Sequence, residues 1–342
     1  MSGAGGKIGF AVVGLGSIAQ NAFLPALSHH KNARLVALVS RDLNKAKRLA
    51  RKFGPAAAFT VEDFPTCLAN PQVDAVYVAT PPGEHERFTV MAAEAKKHVL
   101  CEKPLAASVE QAARMVRACH QHNVFLMTAY RKYFEPGAGF LKDLIRRGKL
   151  GRIEMIQTSF TELYTPGRSP GWLTDPILAG GGPLTDLGIY CVNTTRWLMD
   201  EDPVEVTAQA WRRDTARFQG IEEGIAFRLH FPGGLMVQAA TSYASALSSF
   251  IHVHGSKGWA SLTPAYDFTE PRQLTWQIGK KKTTRTFKVV DEFALELDAF
   301  AAAVHGHQAL QPDGVQGHRD MVILQAIYEA ANNGKAVPIR YA

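Results

Sequence analysis

Up to about residue 128 the chain repeats one unit, a short apolar run, a turn and a helical stretch, and this rhythm constrains the fold more than any other feature. Strands are expected at Ile8–Val13, Arg34–Val39, Ala57–Phe59, Ala75–Ala79, His98–Leu100 and Phe125–Thr128. Helical stretches separate them near Ser17–Leu27, Asn44–Lys52, His85–Ala95 and Ser108–His122. Strands that are apolar throughout have both faces covered, and strands alternating with helices imply a parallel sheet between two helical layers. The expectation for residues 1–128 is a doubly wound α/β domain.

Beyond residue 128 the pattern changes. A helix near Pro136–Arg147, a glycine-rich segment and a helix at Pro183–Met199 precede a long run of strands. Residues 231–235 (Phe-Pro-Gly-Gly-Leu) and 255–258 (Gly-Ser-Lys-Gly) interrupt alternating segments, and their glycines tolerate the positive φ of tight hairpins. Two helices follow near Phe293–Val304 and Gly317–Asn333, the second stopped by Gly334 and Pro338. Residues 129–342 are read as a substrate-binding and oligomerisation α+β domain with a large, mostly antiparallel open sheet. Helices on one face leave the other to be covered, either by loops or by a second subunit, so a homodimer or homotetramer through this sheet is expected.

A chain of 342 residues suits two such domains. Its apolar share of 46% and charged share of 20% are those of a globular protein, and no apolar run approaches a membrane span. Met1–Lys7 lacks the charged leader and apolar stretch of a secretory signal, so a cytoplasmic location is expected. Cys67, Cys101, Cys119 and Cys191 are widely spaced, as free thiols in a reducing compartment would be. The net charge of +7 is dispersed apart from Lys280-Lys281-Lys282, which suits a hairpin tip, and no groove for nucleic acid is marked. His252-Val253-His254 and His305-Gly306-His307 lack a third ligand at usable spacing, so no metal is expected.

Gly14-Leu15-Gly16-Ser17-Ile18-Ala19 follows the first strand and opens the first helix, as the dinucleotide fingerprint of a Rossmann domain requires. Gly14 permits the tight turn, Gly16 lets the backbone approach a pyrophosphate, and the helix N-terminus offers free N–H groups to the anion. The second strand ends in Ser40-Arg41-Asp42, with Lys45 one turn on. Ser40, Arg41 and Lys45 suit a ribose 2′-phosphate and hence NADP; Asp42 reads either as a helix cap or as an acid selecting NAD. The fourth strand runs into Thr80-Pro81-Pro82-Gly83-Glu84-His85, a rigid loop suited to press on a nicotinamide ring or to serve as a structural connection.

Lys103, in Glu102-Lys103-Pro104, stands where the fifth strand stops, and the carboxyl ends of such strands line the ligand crevice. In the segment Gly180–Asn193, three glycines precede a helix whose Asp186, Tyr190 and Asn193 are spaced to share a face. Gly188 leaves room there for a ligand or another backbone. A buried Asp186–Tyr190 pair supporting the core is the structural alternative.

These segments, with Asp74–Pro82 and Tyr130-Arg131, resemble the Gfo/Idh/MocA oxidoreductases over essentially the whole chain. The resemblance implies that Lys103 is catalytic and orients substrate, and that the helix after the glycines supplies Asp186. Where that helix often carries histidine this chain has Tyr190, as in the glucose-fructose oxidoreductase and dimeric dihydrodiol dehydrogenase branch, where tyrosine is the proton donor. It also implies cofactor contacts from Glu102 and Arg131 and likens Ser40 with Lys45 to NADP-holding residues; Trp172 resembles a position near the nicotinamide, with a core tryptophan as the alternative. Met1–Lys7 matches neither the export signal nor the long N-terminal arm of glucose-fructose oxidoreductase, so neither is expected here.

The expected activity is hydride transfer between NADP and a sugar-like, polyol or diol substrate. Tyr190 exchanges the proton, Lys103 stabilises its phenolate and bonds the same oxygen, Asp186 orients the substrate and Asn193 binds a neighbouring hydroxyl. A catalytically silent cofactor-binding regulator and a glycosidase using bound NAD are the competing readings.

Overall fold

The computed structural model describes residues 6–54 and 56–341; the reading of Met1–Gly5 lies outside them. The chain begins with β1 (Ile8–Val13), a π-helical turn (Ala19–Phe23) running into α1 (Leu24–Ser28), β2 (Ala33–Val39), α2 (Leu43–Phe53) and β3 (Ala57–Phe59). It continues through α3 (Phe64–Leu68), β4 (Ala75–Val78), α4 (Pro82–Glu94), β5 (His98–Cys101), α5 (Val109–Gln121) and β6 (Leu126–Thr128). The six strands pair in parallel in the order β3-β2-β1-β4-β5-β6. The order reverses between β1 and β4, and a ligand crevice opens at the carboxyl ends of strands at such a point.

Every residue of β1 and β4 is buried, which explains their uninterrupted apolar sequences. The Tyr77 ring stacks on Phe23 with centroids 3.5 Å apart, and Phe10 meets Phe23 edge-on at 5.9 Å. Each such side chain contributes about 1.5–3 kcal/mol by leaving water. Local signals set the helix starts. Asp42 accepts the Lys45 N–H at 3.0 Å to cap α2, and Ser108 accepts the Gln111 N–H at 3.3 Å to cap α5.

The chain then forms α6 (Pro136–Arg146), β7 (Ile153–Leu163), α7 (Pro176–Ala179), a second π-helical turn (Leu184–Gly188) and α8 (Ile189–Met199). Strands follow at β8 (Glu205–Trp211), β9 (Gly224–His230), β10 (Met236–Ser242), β11 (Ala244–Gly255), β12 (Gly258–Thr263), β13 (Arg272–Ile278) and β14 (Lys281–Phe287). The last elements are α9 (Glu292–Val304), α10 (Gly314–Asn333) and β15 (Val337–Pro338). The second sheet has nine strands in the order β14-β13-β12-β11-β7-β10-β9-β8-β15, antiparallel except where β10 runs beside β7. Lys280 sits at the tip of the β13–β14 hairpin, with Lys281 and Lys282 in β14.

Two features depart from the sequence reading. Strand β7, at the centre of the sheet, lies well before the expected run of strands. Its Ile156, Thr158 and Phe160 face the core while Gln157 and Ser159 do not, a period-two signal set between two glycine-rich stretches. Second, the compact units are Met1–Arg131 with Asp291–His318, and Lys132–Val290 with Arg319–Ala342. Helix α9 thus returns to the first unit, where it packs on α1 and β2 and sets Phe300 5.5 Å from Phe10. An apolar helix face does not announce which sheet it covers, so chain order assigned it to the second domain.

Within the second unit α6 and α8 cover one face of the sheet, over Ile156, Val253, Ala260 and Leu274. The opposite face presents Gln157, Phe250, His252, Trp259 and Gln277, all half-buried.

Candidate active site

In the first unit Gly14 has φ +87°, and a Cβ there would stand 2.5 Å from the Ala79 carbonyl. Only glycine lets the turn after β1 lie so close to the end of β4. Gly16 is exposed with nothing within 4 Å of its ideal Cβ, and Ser17 beside it is also exposed. Leu15 is buried and its carbonyl accepts from Gln20 Nε2 at 2.8 Å, which anchors the loop; Ile18 is half-buried.

At the end of β2 the Ser40 hydroxyl accepts the Asp42 N–H at 3.1 Å, and the Asp42 carboxylate is engaged as the α2 cap. Arg41 is exposed and Lys45 half-buried. The surface beside the loop therefore offers two cations and a hydroxyl, with its one acid turned to the helix.

Thr80 and Pro81 are half-buried, and Pro82 starts α4. His85 is fully enclosed, with Nε2 2.8 Å from the Thr80 carbonyl and Nδ1 3.1 and 3.2 Å from those of Pro104 and Leu105. Burial pushes its imidazole down to about 4, outweighing these carbonyls. His85 is a tie between two loops, with no surface to offer a ligand.

Lys103 is the one residue from Cys101 to Ala106 that is not buried. Its peptide bond to Pro104 is cis. Its backbone N–H donates to Glu102 Oε2 at 3.2 Å, and the Tyr77 hydroxyl donates to Glu102 Oε1. Burial pushes the Glu102 carboxyl up, while Tyr77 and the Lys103 charge draw it down. Arg131 is buried and holds Glu292 through Nη1 at 2.6 Å.

In the second unit the start of the helical segment is clamped. Gly182 and Leu184 donate their N–H groups to Glu222 at 3.1 and 2.9 Å, and the Tyr328 hydroxyl donates to it at 3.0 Å. A Cβ on Gly181 would collide with the Tyr328 hydroxyl, and one on Gly182 would lie 2.6 Å from the Glu222 carbonyl oxygen. These two glycines make way for the protein's own side chains. The room expected at Gly188 is likewise taken, because a Cβ there would meet Leu184 Cδ1 at 2.9 Å and Thr241 Cγ2 at 3.2 Å.

Asp186 and Tyr190 are both half-exposed. Asp186 Oδ2 accepts the Tyr243 hydroxyl at 3.0 Å, and the Tyr190 ring lies 5.5 Å from Phe160 and 5.6 Å from Tyr266. Asn193 does not share their face; it is 1% exposed and donates through Nδ2 to Asp320 at 2.8 Å. The π-helical turn advances the chain by a smaller angle per residue than an α-helix, which shifts Asp186 relative to Asn193. Trp172 is half-buried on a 3₁₀ turn (Gly171–Thr174).

Tyr243, Glu222, Tyr266 and Tyr328 had no signal in the sequence, since each works from an element far along the chain from the group it holds. Among the described residues no cluster of three potential ligands could hold a metal ion, and no helix is long and apolar enough to cross a membrane.

The sequence model of the oxidoreductase family with an NAD-binding Rossmann fold matches residues 8–130, and that of the GFO/IDH/MocA C-terminal domain matches residues 140–261. The chain is 33% identical over 333 residues to D-xylose 1-dehydrogenase [NADP(+)] of Haloarcula marismortui, covering 96% of this chain and 92% of that one. It is 30% identical over 251 residues to trans-1,2-dihydrobenzene-1,2-diol dehydrogenase of Sus scrofa, covering 72% of this chain and 70% of that one. Aldose-aldose oxidoreductase from Caulobacter crescentus, solved with glycerol, superposes with a TM-score of 0.91 at 33% identity, covering 97% and 99% of the two chains. With both halves matched in order and relatives aligned over nearly its full length, the chain belongs to the Gfo/Idh/MocA oxidoreductases.

Proposed function

We propose that the protein is an NADP-dependent dehydrogenase or reductase that moves a hydride between nicotinamide and a CH–OH group of a sugar-like, polyol or diol substrate. One observation carries this reading: Lys103, at the carboxyl end of β5, is half-exposed while every residue around it from Cys101 to Ala106 is buried. A cation that reaches the surface alone from a buried turn at the crevice end of a sheet suits a role toward a ligand. The sugar and diol dehydrogenases among the relatives support the substrate class.

The residues present fit a dinucleotide. Gly14, Leu15, Gly16, Ser17 and Ile18 would hold the pyrophosphate, and the open space over Gly16 favours close backbone approach. Ser40, Arg41 and Lys45 would hold the 2′-phosphate. The use of Asp42 as a cap supports NADP over NAD, because its carboxylate is held toward the helix N–H groups and not toward a ribose hydroxyl. Thr80, Pro81, Pro82, Glu102, Lys103, Arg131 and Trp172 would flank or support the nicotinamide end, with His85 fixing the loops beneath. When bound, the cofactor supplies or accepts the hydride.

The remaining steps belong to the chain's own side chains. Tyr190 gives a proton to the substrate oxygen in reduction and takes it in oxidation; Lys103 stabilises the phenolate and bonds the same oxygen. Asp186, held by the Tyr243 hydroxyl, receives a neighbouring substrate hydroxyl. Asn193 supports α8 through Asp320 rather than touching substrate. The first unit binds cofactor, the second binds substrate, and the half-buried open face of the nine-stranded sheet joins copies of the chain.

The test is to titrate NADP and NAD, then follow the nicotinamide absorbance with D-xylose, other aldoses, polyols and diols. Tighter binding of NADP and reduction by one substrate class is expected. Tighter NAD binding would overturn the reading of Ser40, Arg41 and Lys45, and aglycone release without net cofactor reduction would reassign the chemistry. Sedimentation that finds only monomer would remove the role given to the open sheet.

A further inference from the structure

Glu296 lies on α9 one turn beyond Glu292 and has no exposed surface. Neither of its carboxyl oxygens meets a hydrogen-bond partner among the described residues. An enclosed acid either finds a cation or keeps its proton. The charges that act on it are those of Glu102 at the end of β5, Arg131 after β6 and Glu292 on its own helix, and it acts in turn on Tyr77 from β4.

The pairings in this pocket of charge decide which acid is neutral. Arg131 Nη1 binds Glu292 Oε2 at 2.6 Å. Glu102 takes the Tyr77 hydroxyl on one oxygen and the Lys103 N–H at 3.2 Å on the other, and the Lys103 charge acts on it. Two carboxyls therefore have donors or cations of their own, and Glu296 is the third. Burial first, and then the nearby Glu102, push its carboxyl well above the usual range.

We propose that Glu296 is a positioning residue for Lys103: as the neutral member of a buried Glu102–Glu296 pair it leaves Glu102 ionised, so that the Lys103 ammonium rests against one carboxylate. The inference rests on the proposed role of Lys103, but its test needs no turnover.

Infrared spectra at neutral pH should contain the C=O stretch of a protonated, dry carboxylic acid, and Glu296→Gln should remove it. Its absence from the parent protein, or its survival in the variant, would overturn the proposal. Should Glu296→Gln fold poorly, Glu296→Asp keeps an acid on a shorter stem and must shift the same band; an unmoved band is equally fatal.

The link to Lys103 is read by acetic anhydride labelling followed by mass spectrometry across pH. Near neutrality Glu296→Gln should label Lys103 at the parent rate, while Glu102→Gln, which removes the anion, should label it roughly tenfold faster. At alkaline pH the parent should hold its Lys103 proton longer than Glu296→Gln, because ionised Glu296 adds a second negative charge. Faster labelling of Glu296→Gln already at neutral pH would mean an ionised Glu296, and curves that coincide throughout would mean no coupling; either result rejects the proposal. A substrate screen that finds no dehydrogenase activity would remove the role of Lys103 and leave both of these readouts standing.

Discussion

The two sheets deliver their chemistry in different ways. Around the six-stranded sheet the site positions follow strand ends within a few residues: Gly14 after β1, Ser40 after β2, Thr80 after β4, Lys103 after β5 and Arg131 after β6. In the second unit Asp186 and Tyr190 flank a helix start, and their settings come from Tyr243 on the β10–β11 junction, Tyr266 beyond β12, Glu222 before β9 and Tyr328 on α10. A parallel sheet with right-handed crossovers brings its strand ends to one edge by connectivity alone. The mixed sheet has no such rule, so its site depends on which distant side chains happen to pack.

That contrast can be attacked from its chemical end first. Tyr190→Phe is expected to lower kcat by roughly 10²–10⁴-fold while the NADP dissociation constant stays unchanged. A parallel loss of NADP binding, measured by fluorescence titration, would show that the two units do not divide cofactor and proton work in this way.

The His85 tie tests the first unit. Its imidazole sits near 4 when folded and near 6.5 when unfolded, so the unfolded chain takes up a proton first as pH falls. Stability is complete above about 6.5 and declines by about 3 kcal/mol as pH approaches 4. His85→Gln should flatten that part of the melting-temperature profile, and an unchanged slope would refute the assignment.

Glu222→Leu attacks the clamp in the second unit by leaving the Leu184 N–H without its acceptor and the Gly182 N–H with only the Tyr328 hydroxyl at 3.3 Å. About 2–3 kcal/mol of stability should be lost in urea unfolding. Hydrogen exchange should speed up at the start of α8 and not in the six-stranded sheet.

The smallest effect separates the two readings of Asp42. Asp42→Ala should cost about 1 kcal/mol through loss of the α2 cap and leave the ratio of NADP to NAD affinity unmoved. A change in that ratio would return Asp42 to the cofactor.

What could be read in advance follows the same division. Apart from the short helix α3, the elements from β1 to β6 were legible because each carries its own periodicity and stop signals, and the Gly14–Gly16 loop because its backbone demands are local. Strand β7 was not, since its alternation is short and lies apart from the other strands of its sheet. Gly188 was expected to leave room for a ligand or another backbone, and the packed chain fills that room with Leu184 and Thr241.

The sequence by itself determined the doubly wound domain, the Gly14–Gly16 turn, the place of Lys103 at the end of the fifth strand and the family. All of these rest on interactions within a few residues or on strand order. Only the tertiary structure decided that His85 ties two loops, that Asn193 turns inward to Asp320, and that Glu296 is enclosed. The physical reason is that a polar side chain's role is set by what satisfies it once it is buried, and for these residues the partner or the enclosing surface is known only after the chain has packed.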